Sequence, residues 1–179
     1  MSDVEPSPLP IRPVRTWPFW VPLVVTSALL ALDQWTKVLA VSNLTFGQPV
    51  EVAIPGLLGF TLVYNTGAAW SLFQGSAFLL ALLRFAVGVG LLVYMARRPQ
   101  DRFHTVVFAI ISAGAIGNAI DGIRQGKVTD MLSSPALDAV TRSINGQPFP
   151  IFNIADSCVV VGVILLLIAS VVSSVRKPR

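Results

Sequence analysis

The sequence predicts an all-α membrane protein, with four transmembrane helices, a small extracytoplasmic β-sheet and an outer-face loop. Three observations predict it. Of 179 residues, 54% are hydrophobic and 12% charged, with a mean hydropathy of +0.71, whereas soluble domains charge roughly a quarter of their residues. Four apolar runs are long enough to cross a hydrocarbon core of about 30 Å. One stretch, residues 43–68, instead sets short β-branched runs between turn formers. The length suits a single integral membrane domain over 1–179.

The proline-rich leader carries Arg12 and Arg15 and reads as extended. The first span covers about 19–41, interrupted by Asp33 and Lys37; it is too long for a secretory signal, and no small-x-small cleavage site follows. Residues 43–68 form the sheet, or cradle, because Gly47, Pro49, Pro55 and Gly56 flank the strand-like runs Val50–Ile54 and Phe60–Tyr64. The second span, about 77–96, stops at Arg97-Arg98-Pro99. The third, about 103–120, contains Ser112, Ala113, Gly114, Ala115 and Gly117, small residues that let membrane helices approach closely. Residues 122–151 form a polar outer-face loop with Pro135, Gly146, Pro148 and Pro150, and the fourth span covers about 154–172.

Cations at the span ends give the orientation. Arg12, Arg15, Arg97, Arg98, Arg102, Arg176, Lys177 and Arg179 lie on one side, against Arg124, Lys127 and Arg142 on the other. Positive charge stays in the cytoplasm, so both termini are expected there, with the sheet and the 122–151 loop outside. The basic balance is thus a topology signal, and no nucleic-acid partner is expected. Trp17, Trp20 and Trp70 suit interface anchors.

A carboxylate at the bilayer centre costs about 2.5–3.5 kcal/mol, so the aspartates ask for a reason. Asp130 follows the third span and Asp156 lies in the first turn of the fourth; antiparallel neighbours would bring both to one depth. Two close carboxylates share a proton, so that one serves as base toward water and the other as acid toward a carbonyl. From spacing alone, a helix cap or an arginine partner is the better explanation of each. Asn153 is placed as an N-cap, Asp33 and Lys37 as an ion pair one turn apart, and Asn118 with Asp121 as interhelical hydrogen-bonding groups. Asn65 is a turn residue or a substrate-binding amide. Neither a metal nor a cofactor is expected: the histidine, His104, stands alone, and there is no His-Glu-x-x-His, Gly-x-Ser-x-Gly or Gly-rich phosphate loop. Cys158 has no second cysteine to pair with.

Asp33-Gln-Trp-Thr-Lys37, Asn65-Thr-Gly-Ala-Ala-Trp-Ser-Leu-Phe73, Gly117-Asn-Ala-Ile-Asp121 with Gly126-x-Val-x-Asp130, and Phe152-Asn-Ile-Ala-Asp-Ser157 together resemble the bacterial lipoprotein signal peptidases (signal peptidase II). The resemblance implies an aspartyl endopeptidase of the bacterial inner membrane. It would remove the signal peptide of a prolipoprotein just before a diacylglyceryl-modified cysteine, act as a monomer among membrane lipids, and be inhibited by globomycin. It implies Asp130 and Asp156 as catalytic and Asn65, Asn118 and Asn153 as substrate-side residues, with Asp33, Lys37, Gly67 and Asp121 in support. Where the family usually has an arginine after the aspartate matching Asp121, this chain has Gly122, and Arg124 is the candidate replacement. The competing expectations are a small transporter or channel subunit with a polar path along Asp33, Lys37, Asn118 and Asp121, and a scaffold whose polar residues only hold helices together.

Overall fold

A computed structural model describes residues 16–66 and 77–175. In chain order they form α1 (Trp20–Asn43), β1 (Glu51–Ile54), β2 (Leu58–Asn65), α2 (Ala77–Arg97), α3 (Arg102–Gln125), β3 (Val128–Ser133), α4 (Pro135–Asn145) and α5 (Ile154–Val175). Four of these helices are long and apolar enough to span a membrane. Gly67 and Trp70, and the cations of the leader and the tail, lie outside the described residues.

α3 is the central helix. Of its most apolar window 72% is buried, against 22% for α1, 17% for α2 and 11% for α5. Small residues make this possible. A Cβ at Gly114 would run into the Ala155 carbonyl oxygen and stand 2.8 Å from a Val159 methyl; one at Gly117 would stand 2.7 Å from Asp33 Oδ2. The outer helices turn apolar side chains to the surroundings and polar ones inward, the reverse of a soluble bundle. Thus α1 buries Thr26, Asp33 and Lys37 but exposes Leu23, Val24, Leu32 and Val38. Thr26 Oγ1 donates to the Ala109 carbonyl at 3.1 Å, tying α1 to α3.

The close approach at Gly114 gives a first expected result. Gly114→Ala should lower stability by about 1–3 kcal/mol, the usual cost of overpacking, because the atoms in the way include backbone. Gly90→Ala, on α2 with nothing within 4 Å of the added methyl, is the control and should melt with the wild type or slightly above it in detergent, since alanine is the better helix former.

The outer-face loop is more structured than the sequence suggests. Residues 122–151 contain the last turn of α3, β3 and α4. α3 ends at Gly126, in the left-handed region at φ 67°, with its N–H on the Gly122 carbonyl. α4 starts with Ser134 as N-cap and Pro135 in the first turn, and it stops at Gly146, φ 74°. Proline fits a first helical turn and glycine a helix end, so residues read as breakers are the boundaries of a helix. None of its residues is buried, and Leu137, Val140 and Ile144 form an exposed apolar stripe.

β3 also completes the sheet, whose order is β1-β2-β3 with both pairings antiparallel. Met131 packs with Ala40 of α1 and Leu62 of β2, seating the sheet on the end of α1. Phe152 pairs with Leu132, exchanging backbone hydrogen bonds of 2.8 and 3.0 Å. That pairing fixes where the chain enters α5.

Candidate active site

Alternation along β3 sends Met131 to the core against α1 and Asp130 to the other face. Val63 stands opposite Asp130 in the β2–β3 register. Asn65, two residues on, therefore shares that face as the diagonal neighbour, and its side chain hydrogen-bonds Asp130.

Asp156 is placed by the start of α5. Asn153 Oδ1 accepts from Asp156 N at 2.8 Å, and Asp156 Oδ2 accepts from Asn153 N at 3.2 Å. This reciprocal cap satisfies two helix-end donors at once. Because Oδ1 of Asn153 is taken by a backbone donor, Nδ2 must point the other way. It donates to Asp130 Oδ1 at 2.7 Å and lies 3.0 Å from Asn118 Oδ1. One asparagine thus caps the helix that carries Asp156 and holds the carboxyl of Asp130.

Asn118 makes the matching link from α3. Its Oδ1 accepts from Lys37 Nζ at 3.1 Å, and its Nδ2 donates to Asp156 Oδ1 at 2.7 Å. An ammonium has only donors, so Lys37 forces the amide oxygen toward itself and the amide nitrogen toward Asp156. Lys37 in turn lies 2.9 Å from Asp33 Oδ2 and 3.2 Å from Asp121 Oδ2. Asp33 Oδ1 accepts from the Ala155 backbone N at 2.9 Å, and Asp121 Oδ2 accepts from Thr129 N at 3.0 Å. The buried triad thereby fixes both segments, β3 and the start of α5, that carry the two candidate carboxylates.

The pair is crowded electrostatically. Burial pushes the Asp130 carboxyl up to about 7, and the nearby charge of Asp156 adds to the push, against the opposing hydrogen bonds from Asn153 and Asn65 and the charge of Lys37. Near neutrality this pair suits one shared proton. No group of three or more His, Cys, Asp or Glu side chains suited to a metal occurs among the described residues.

Arg124 is not brought to the pair. Six positions past Asn118, at about 100° per residue, it points to another side of α3. It is exposed and lines a separate cavity of about 340 Å³ with Gln34, Lys37, Asp121 and Thr129. Besides Lys37, the cation whose charge reaches Asp156 is Arg84 of α2, which sequence reasoning missed. It lines a cavity of about 320 Å³ with Asn118 and Asp156, and its charge acts on Asp156. The signal was there: an arginine inside a run of mean hydropathy 2.2 costs about 2.5–3.5 kcal/mol on insertion scales and demands a reason as much as an aspartate does.

The family model for signal peptidase (SPase) II matches residues 25–172. The chain belongs to the signal peptidase II family. It is 54% identical to the lipoprotein signal peptidase of Deinococcus radiodurans over 96% of this chain and 91% of that one. With the lipoprotein signal peptidase of Enterococcus faecalis the identity is 38%, over 81% and 84%. Among solved structures it is similar to a bacterial membrane enzyme determined by the in meso method at 2.3 Å resolution, with a TM-score of 0.77 and 28% identity over 94% of this chain and 98% of that chain. A second such structure, at 1.9 Å, gives a TM-score of 0.71 at 28% identity over 88% and 97%. Signal peptidase II membership makes the chain a membrane peptidase, and it displaces the transporter and scaffold alternatives.

Proposed function

We propose that this signal peptidase II works as an aspartyl endopeptidase, with Asp130 and Asp156 as its dyad, cutting a prolipoprotein signal peptide just before the diacylglyceryl-modified cysteine. The observation that carries the reading is the pair itself: two carboxylates from different elements, held by Asn153 and Asn118 and close enough for one to raise the other. Asp156, whose two oxygens both accept from N–H donors, is the base. It takes a proton from water as the oxygen attacks the scissile carbonyl, while Asp130 gives its proton to the carbonyl oxygen. Collapse of the tetrahedral intermediate then sends a proton to the departing amide nitrogen and breaks the C–N bond.

The location suits such a substrate. The dyad lies where α3 ends and α5 begins, at a membrane boundary where water and a lipid-anchored peptide can meet. An apolar cavity of about 310 Å³, lined by Leu39, Ala40, Leu44, Phe60, Met131 and Ile154, supports a role in seating an acyl chain. Both termini are cytoplasmic in this reading and the dyad faces outward from the bacterial inner membrane. Action as a monomer belongs to the same proposal, and a globomycin-type cyclic peptide would occupy the same cleft.

The test is cleavage by purified protein in detergent, followed by gel shift. Diacylglyceryl-modified prolipoprotein should be cut, the unmodified precursor should be cut at a rate lower by an order of magnitude or more, and globomycin should block the reaction. Equal cleavage of both precursors would refute the lipid requirement, and no cleavage of the verified lipidated form would refute the assignment.

A further inference from the structure

Between Ala77 and Tyr94, α2 carries one charged side chain, Arg84, seven residues or about 10 Å from its N-terminal end. Helical side chains lean toward the N-terminus of their helix. Arg84 therefore leans toward the end of the bundle where α3 finishes and α5 starts. The cavity it enters is otherwise apolar, walled by Val87, Gly114, Val159 and their neighbours, and its polar side chains are Arg84, Asn118 and Asp156. Asn118 and Asp156 are already paired to each other at 2.7 Å. Arg84 is half-buried and makes no hydrogen bond or ion pair with any described residue.

A guanidinium has five donors and no acceptor, so in an apolar cavity its donors must be met by something that enters. An anion such as a lipid phosphate would stand beside the Asp156 carboxylate and be repelled. A neutral carbonyl oxygen would not. A peptide drawn out of helical form toward a protease site has unpaired main-chain carbonyls that the hydrocarbon cannot satisfy, and a planar fork can serve two acceptors at once.

We infer that Arg84 is a substrate-binding residue whose guanidinium, in the cavity shared with Asn118 and Asp156, takes main-chain carbonyls of the signal-peptide segment beside the scissile bond. This rests on the reading of Asp156 as part of the dyad, and it adds a contact from α2, which supplies no other polar group there. Binding energy so placed keeps the peptide against the dyad without adding a second negative charge to it.

The experiment measures binding separately from cleavage. A fluorescent synthetic signal peptide without the lipidated cysteine is titrated against wild type, Arg84→Leu and Arg84→Lys in detergent, and kcat and KM are measured with the lipidated precursor. Arg84→Leu should weaken peptide binding and raise KM by about tenfold or more, a loss in the range of hydrogen bonds to charged groups. Its melting should be unchanged or raised, since a charge with no hydrogen bond or ion pair among the described residues is removed from the bilayer. Arg84→Lys should recover only part of the affinity, because it keeps the charge and loses the fork. Unchanged peptide affinity in Arg84→Leu overturns the inference: a raised KM alone would assign the acceptor to the diacylglyceryl esters, and an unchanged KM would mean that Arg84 serves only the surrounding lipid. If the wild type itself fails to cut the lipidated precursor, the dyad reading fails instead, and the two failures are distinct.

Discussion

Asp130→Asn and Asp156→Asn should each reduce cleavage of the lipidated precursor by about 10³-fold, within the roughly 10²- to 10⁴-fold range of a positioned acid or base, with helical content retained. The stronger expectation concerns pH. Burial and the Asp156 charge hold the Asp130 carboxyl near 7, against an ordinary value of 3.8. The folded chain therefore keeps a proton there that the unfolded chain has released, and the stability from this group declines as pH rises from about 4 to about 7. The amide introduced by Asp130→Asn cannot ionise, yet it still offers Asn153 an oxygen. The gain in thermal midpoint of Asp130→Asn over wild type should thus be larger at pH 8 than at pH 5, although the variant is inactive. Wild-type kcat/KM should fall about tenfold per pH unit above about 7, as the proton on Asp130 is lost. A midpoint difference that is the same at both pH values, or activity flat to pH 9, would take the shared proton out of the mechanism.

What the sequence disclosed and what it hid follow from the range of the interactions involved. The four spans are legible because each is a local composition, and the Asp33–Lys37 pair is legible because it lies within one helical turn. The link from Lys37 to Asp121, by contrast, joins residues that only the packing of α1 on α3 brings together. Likewise nothing in Val128–Ser133 announces that it pairs with β2, whose residues lie far back along the chain, as Tyr64 does from Thr129; strand pairing is a non-local choice. Asn153 is the instructive case. Its capping role can be read from its place before an apolar run, but its second role, holding Asp130, exists only because Phe152 pairs with Leu132. Ser134, Pro135 and Gly146 show the opposite error, local signals that were present and assigned to a loop. Arg124 could stand in for an arginine after Asp121 only in a linear alignment; the helical rotation between the two positions carries it to another cavity.

Lys37→Met should be among the most destabilising single changes in the chain. Lys37 is 4% exposed and Asp33 1%, and Lys37 is the ion-pair partner of both Asp33 and Asp121 among the described residues. Removing one partner of a buried pair leaves an uncompensated charge and costs about 3–5 kcal/mol, which in a chain of this size lowers the midpoint by roughly 6–20 °C. Activity should fall further than stability alone would require. Without the donor-only ammonium the Asn118 amide is no longer held by Lys37 with its nitrogen toward Asp156, and repulsion between Asp33 and Asp121 disturbs the backbone contacts to Ala155 and Thr129 on which both dyad segments rest. Adding Asp121→Asn to Lys37→Met removes one of the two stranded charges and keeps an acceptor for Thr129 N. The double variant should therefore regain part of the lost midpoint, while a simple sum of two independent losses would place it below either single variant. Melting curves for the four proteins decide the matter: recovery establishes the triad as the clamp that joins α1 and α3 beneath the dyad, and additive loss means that Lys37 and Asp121 act separately.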